Sequence, residues 1–320
     1  MALDHYVSQV HLRNFSSSTP IGQLNAIRKR DLHKFKPWTK DICRIDEGST
    51  NRYLNEPRAI EEFLKKIEPH YNSALKKLRS SQVDAESIFT IAGFIAYVSS
   101  CSPTSMRLQI SPLAETLKEV ARRLDAAGKL PPSPPELGGK TLPELLEEGL
   151  VDLKVDPKYP QAIGINAIYS MLYTLGNFDW ELLNNPLAAD YPFFTSDYPI
   201  GMEKTKDLRI INKVVPLAPD FAIRIRPRFD VNTRTTSQDF SKFRCRTIEL
   251  DQTEVMAINE LIVRCAESQV YFRNECPWII DFVRLHSGFR IESVNHQIRP
   301  PDGGLLQISS CTVTDKRPAP

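Results

Sequence analysis

The sequence lacks most of the features that assign a function quickly. Its six cysteines, Cys43, Cys101, Cys245, Cys265, Cys276 and Cys311, form no CxxC pair and no Cys/His spacing of a zinc site. Thiols scattered through apolar and strand-like runs in a chain this long are expected to stay reduced rather than build a disulfide framework. No GxGxxG, P-loop, GxSxG or HExxH motif is present. Those absences argue against a dinucleotide-dependent oxidoreductase, a P-loop ATPase, an α/β-hydrolase and a zinc peptidase. The longest apolar-rich run, IFTIAGFIAYV at 88–98, is too short to span a bilayer. The N-terminal stretch carries Asp4, His5 and Gln9 where a signal peptide needs an apolar centre. The expectation is a cytoplasmic protein with no membrane partner. Net charge is also scarce: 41 Lys and Arg against 39 Asp and Glu leave +2. A broadly cationic nucleic-acid binder is therefore not indicated, although a basic groove on one face stays open. With 41% apolar residues, general disorder is excluded. No internal repeat points to a solenoid or propeller.

What is present sorts into two halves. From Ile60 the apolar residues 60, 63, 64, 67, 71, 74, 75 and 78 make a helical stripe, with Pro69 set to kink or restart it. Residues 84–101 are apolar nearly all round, as a central buried helix is, and 106–127 are amphipathic. The Pro- and Gly-rich run 130–139 reads as a loop, followed by helical segments near 142–150 and 160–175. After residue 178 short β-branched and aromatic runs take over: WELLNN, YPFFTSD, LRIINKVVPL, FAIRIRPRF and FRCRTIEL. Asp251 with Glu254 makes a capping box for a helix running through VMAINELIVRCAESQVYF, and a last helix covers 277–286. The fold class is α+β. A helical layer (about 57–177) packs on an antiparallel sheet (about 178–250) with closing C-terminal helices, in a single domain over 1–300. Residues 301–320 read as a weakly ordered tail.

Several polar residues sit where chemistry is plausible. His5 and Gln9, four apart, share a face in either a helix or a strand, so they are expected to point the same way whatever the secondary structure. The bland alternative is that they tie the N-terminal element to the core; His11 reads as a surface residue. Glu61 and Glu68 lie on one side of their helix. Glu68 falls at the margin of the buried stripe, just before Pro69, either paired with Lys65 or facing a cleft. In PFFTSDYP, Asp197 ends an apolar strand and Ser196 turns with it, which suits a functional loop and an Asx-type turn equally. Asn259 lies on the apolar face of its helix and needs buried partners. Arg224, Arg226 and Arg228 share one face of a strand, either lining a phosphate groove or forming the solvated side of a sheet.

The run HYVSQVHLRNF together with TSDYP resembles the family catalogued as domain of unknown function 4238. That family opens with a His-Tyr-hydrophobic-Pro-Gln-x-x-Leu-x-x-Phe motif, met here by His5, Tyr6, Val7, Ser8, Gln9, Leu12 and Phe15. Ser8 departs from the usual Pro. An E-x-x-L-x-x-I-E pattern is met by Glu61, Leu64, Ile67 and Glu68. An aromatic-hydroxyl-Ser-Asp-x-Pro turn is met by Phe194, Thr195, Ser196, Asp197 and Pro199, with Tyr198 in place of Asn. A P-L-x-P is met by Pro216, Leu217 and Pro219, and an I-N pair by Ile258 and Asn259. The resemblance supplies fold and site candidates, not a reaction.

Two readings follow. In the first, the chain is a hydrolase, most plausibly a nuclease acting on RNA or DNA. His5, Glu68 and Asp197 are catalytic, and Gln9, Ser196, Asn259, Arg224 and Arg226 support them. One His and two carboxylates would suit Mg²⁺ or Mn²⁺, or His5 would act as acid or base without metal. A small-molecule hydrolase using the same cluster is a weaker variant. In the second, the chain is a non-catalytic ligand-sensing or protein-interaction module whose polar residues fix the core. Cofactor and oligomeric state are left open.

Overall fold

The computed structural model describes residues 3–17, 20–131, 133–207, 210–229, 239–298 and 306–316. The N-terminal segment runs β1 (Leu3–His5), α1 (Gln9–Arg13), β2 (Asn25–Arg28), β3 (Lys34–Phe35) and β4 (Arg44–Asp46). The helical layer follows as α2 (Ala59–Lys65), a 3₁₀ turn at Glu68–His70, α3 (Tyr71–Arg79), α4 (Ala85–Cys101), α5 (Pro103–Ala126), α6 (Leu142–Glu147), α7 (Lys158–Asn166) and α8 (Ile168–Gly176). Pro69 restarts the helix as its missing N–H requires: α2 stops before it and α3 begins just after. Helix α4 is capped by Asp84 and Ser87 and buried along most of its length. Gly93 lets Ile67 and α8 press on it; a Cβ there would sit 2.3 Å from Ile67 Cδ1. No single helix among the described residues is long and apolar enough to cross a membrane.

The second half contains β5 (Asp179–Asn184), β6 (Thr195–Ser196), β7 (Gly201–Lys204), β8 (Ile211–Ala218), β9 (Phe221–Arg226) and β10 (Arg244–Glu249). The chain ends with α9 (Gln252–Cys265), β11 (Gln269–Phe272), α10 (Ile279–His286), β12 (Phe289–Ile298) and β13 (Leu306–Asp315). The main sheet has the order β10-β5-β9-β8-β7 and is antiparallel except where β10 lies parallel to β5. A smaller sheet, β3-β2-β11-β6, joins the N-terminal segment to the second half. The architecture is α+β. Alternation along the strands divides the main sheet: Trp180, Leu182, Ile223, Ile225, Val215 and Leu217 belong to the core shared with the helices. Val214, Ala222 and Leu183 face the other way, toward Val255 and Ile258 of α9.

Three expectations need correction. The helix read through residue 272 ends at Cys265, and QVYF becomes β11, paired with both β2 and β6. The Asp251–Glu254 capping box does form. Of YPFFTSD only Thr195–Ser196 pairs as strand, although Phe193 and Phe194 are buried. The segment read as a weak tail contains β13, which pairs with β12 along its whole length. Its apolar residues switch face part-way, Leu306 and Ile308 on one side and Cys311 and Val313 on the other, so they make no continuous period-2 stripe; 301–305 and 317–320 lie outside the described residues.

Candidate functional site

The N-terminal candidates fall on separate elements. His5 ends β1, the chain turns, and Gln9 opens α1, so the premise of one shared face does not hold. Gln9 accepts a hydrogen bond from Arg13 Nη2 at 2.7 Å on the exposed side of α1. His5 Nε2 lies 3.3 Å from the Thr39 carbonyl, and the His5 carbonyl accepts from the Tyr97 hydroxyl. Partial burial pushes the His5 pKa below its ordinary value, with Arg44 acting in the same direction and the Thr39 carbonyl and Glu68 opposing. Glu68 does not pair with Lys65, which is taken by Glu62 at 2.6 Å. It accepts instead from the Ser8 hydroxyl at 2.5 Å. The serine that departs from the motif's Pro thus holds the carboxylate. His5, Ser8 and Glu68 form one neighbourhood.

Asp197 belongs to another. Its Oδ1 accepts from the Glu267 amide at 2.9 Å, and its Oδ2 from the amides of Ser268 and Gln269 at 2.7 and 3.1 Å. These three amides follow the end of α9, where the chain must leave the helix and enter β11. The carboxylate therefore fixes the corner that the helical reading missed. Asp197 is 5% exposed, and burial pushes its carboxyl up to about 7 against the pull of the Ser268 and Glu267 amides and of Lys29. No hydrogen bond among the described residues joins it to His5 or Glu68. Ser196 Oγ accepts from the Tyr198 amide at 3.1 Å, an internal turn bond. Asn259 clamps the same run, accepting from the Phe194 amide at 2.8 Å and donating to the Pro192 carbonyl at 2.9 Å.

His11 is the largest departure from the sequence reading. It is fully buried, stacked on Phe94, with Nδ1 2.8 Å from the Tyr71 hydroxyl and Nε2 2.8 Å from Thr195 Oγ1. It ties α1, α3 and β6 together. Burial drives its pKa down to about 3, so it is neutral at pH 7.

The arginine row forms as the alternation predicts, but carboxylates already occupy it. Glu181, 4% exposed, lies in register with Arg224 on one side and Arg246 on the other. Arg224 pairs with it at 2.7 Å, Arg226 at 3.0 Å, and Arg246 joins them. Arg224 also meets Glu203 at 2.9 Å, and Arg228 meets Asp179 at 3.3 Å. Burial alone would raise the Glu181 carboxyl; Arg224 and Arg246 reverse this and hold it below the usual range.

A cleft of about 390 Å³ opens directly above the Asp197 corner. Arg28, Lys29, Arg30, Arg290 and Lys316 line it, with Glu267 the one carboxylate on its wall. Lys29 is 7% exposed and donates to the carbonyls of Ala266 and Phe289 at 2.7 and 2.8 Å. Burial lowers its pKa to about 8 despite the pull of Asp197. Glu267 is shared with Arg107 at 2.9 Å and Arg290 at 2.5 Å, and Lys316 meets Glu292 at 3.2 Å. The basic run Arg28–Lys29–Arg30 was a visible signal in the sequence, but Arg290 and Lys316 come from the far end of the chain. None of five surface clefts has His5, Glu68 or Asp197 on its wall. No group of three or more His, Cys, Asp or Glu side chains placed to hold a metal ion occurs among the described residues.

The model of the family described as Protein of unknown function (DUF4238) matches residues 4–275. The chain belongs to that family. The match takes in Lys29 and the Asp197 corner but ends before α10 and the β12–β13 hairpin that close the cleft. No curated protein and no solved structure matches the chain.

Proposed function

We propose that the protein binds the phosphate backbone of a nucleic acid in the Lys29 cleft. One observation carries the reading: five cationic side chains against one carboxylate around a single cavity, with Lys29 held in its floor. Arginine forks suit phosphate oxygens, and each neutralised phosphate releases counterions. Arg30 and Lys316 have side chains 77% and 54% exposed; each meets a carboxylate, Asp31 at 3.5 Å and Glu292 at 3.2 Å, in a partly exposed pair weak enough for a phosphate to displace. Lys29 is charged at pH 7 and loses its charge above about pH 8. Binding should therefore weaken between pH 7 and 9. The test is fluorescence anisotropy of a labelled single-stranded oligonucleotide across a salt series, with Arg30→Ala and Lys316→Ala beside the unaltered chain. Each substitution should weaken binding and flatten the salt slope by about 0.7 per lost phosphate contact.

Hydrolysis of a nucleic acid at His5, which is not on the wall of the Lys29 cleft, is the second reading. The observation in its favour is His5, a partly exposed imidazole with a lowered pKa beside Glu68, suited to act as a base at pH 7. Asp197 supports binding rather than chemistry here, since both its oxygens are committed to backbone amides. Incubation of His5→Ala and the unaltered chain with a panel of RNA and DNA substrates, with and without Mg²⁺ or Mn²⁺, decides it. Cleavage that disappears in His5→Ala supports this reading; its persistence there counts against it.

A further inference from the structure

A second cleft, of about 480 Å³, lies where the helical layer meets the open end of the main sheet, with Cys311 of β13 on its wall. Its lining is mostly apolar, with Leu108, Met171, Leu175 and Phe178 contributed by α5, α8 and the turn that follows. Lys213 of β8 is the one charged side chain on the wall. In the alternation of β8 it shares a face with Val215 and Leu217, which are core residues. A lysine is thus placed on the core side of a strand, at the point where the core opens. Its ammonium has no hydrogen bond and no ion pair among the described residues.

An ammonium group in such a place is normally matched by an acid. Here no Asp or Glu lines the cleft. The titratable groups that act on it are the thiols of Cys311 and Cys265, which burial pushes upward and keeps neutral at pH 7, as it does the Tyr198 hydroxyl on the same wall. Burial accordingly lowers the Lys213 pKa. A second polar atom on the wall, Ser99 Oγ, is buried and makes no well-formed hydrogen bond, with the Tyr198 hydroxyl beside it. One unmatched cation and a spare hydroxyl at the edge of an apolar cavity define the complementary ligand: a single anionic head on an apolar body.

We propose that this cleft binds an apolar monocarboxylate, with the carboxylate on Lys213 and the carbon chain against Leu108, Met171, Leu175 and Phe178. The site is independent of the Lys29 cleft, where the cations surround polar walls. A carboxylate would supply the charge-assisted hydrogen bond that Lys213 lacks.

The test compares dodecanoate with dodecanol, which share the chain and differ in the head, by isothermal titration calorimetry on the full-length protein. Dodecanoate should bind at least about tenfold more tightly. Lys213→Met should remove that preference by weakening dodecanoate alone, while Lys213→Arg retains it. Removing an unpartnered ammonium leaves no buried group unpaired, so Lys213→Met should melt no lower than the unaltered chain. Equal affinity for the two amphiphiles, no binding of either, or undiminished dodecanoate binding by Lys213→Met overturns the proposal. If Lys213→Met fails to fold, the dodecanoate–dodecanol comparison on the unaltered chain decides alone.

Discussion

Two regions of the molecule gather arginine and lysine, and they are built on different plans. On the outer face of the main sheet, Arg224, Arg226 and Arg246 converge on Glu181, with Glu203 and Asp179 taking up the remainder. At the α9–β11 corner, Arg28, Lys29, Arg30, Arg290 and Lys316 surround a cavity. There Lys29 is held by two neutral carbonyls rather than by an acid in contact. The first is a closed electrostatic unit in which cations serve a buried carboxylate. In the second, Arg28 and Arg30 meet Asp31, Arg290 meets Glu267 and Lys316 meets Glu292, all in partly exposed pairs. Counting positive residues would rank the two alike; the burial of the facing carboxylate separates them, since the Glu181 side chain is 5% exposed and that of Asp31 42%.

The largest contrast should appear in stability. Asp197→Ala removes the acceptor of three amides at the corner under the cleft, each costly to leave unpaired. Chemical denaturation should show a loss of about 3–5 kcal/mol. Glu181→Ala should cost less, about 1–2 kcal/mol, because Arg226 and Arg246 are exposed enough for water to replace the carboxylate. Equal losses would mean that the arginine row is as structural as the corner.

A second contrast concerns pH. His11, with a folded pKa of about 3 against an ordinary 6.5, disfavours protonation in the folded state. The unfolded chain binds the extra proton between those values, so this residue's contribution to stability falls as pH drops from about 6.5 to 3. Asp197, raised to about 7 from 3.8, acts in the opposite sense over nearly the same window. The two mask one another in the unaltered chain. The stability difference between it and His11→Gln isolates the histidine, and should shrink by on the order of 4 kcal/mol between pH 7 and pH 3.

Lys29 supplies a subtler signature. Its folded pKa of about 8 lies below the ordinary 10.5, so the unfolded chain holds more protons between those values. Stability relative to Lys29→Met should therefore rise from pH 8 to 10.5, while oligonucleotide affinity falls over the same range. Thermal melts and anisotropy on the same samples read the two trends. If both move together, Lys29 is a structural lysine and not a contact to the ligand.

The α+β architecture was legible because it rests on local periodicity. The stripe from Ile60, the all-apolar α4 and the capping box at Asp251 each declare themselves within a few turns. The α9–β11 corner was not legible, because its cause is Asp197, far back in the chain, reaching three amides at once. The apolar and aromatic residues of QVYF extend a helical pattern as readily as they form a strand. His11 misled for a related reason. Its burial depends on Tyr71 and Thr195, and nothing adjacent in sequence marks it as inside. Of the candidate residues, Asn259 was legible as a buried polar group needing partners, though those partners are backbone atoms; Asp197 was legible only as the end of an apolar strand. The arginine row was legible as a row, but its neutralisation by Glu181 depends on strand register. The Lys29 cleft was half visible in the run Arg28–Lys29–Arg30; the other half comes from a hairpin far along the chain whose apolar residues switch face part-way and so make no continuous stripe.

The central claim is that the Lys29 cleft, and not the arginine row, accepts phosphates. The most direct test is oligonucleotide anisotropy against salt for the unaltered chain, for Arg30→Ala/Lys316→Ala, and for Arg226→Ala/Arg246→Ala. The account predicts that the first pair weakens binding about tenfold or more and flattens the salt slope, while the second pair leaves both within about twofold of the unaltered chain. Loss of binding in the second pair with the first pair unaffected would contradict it.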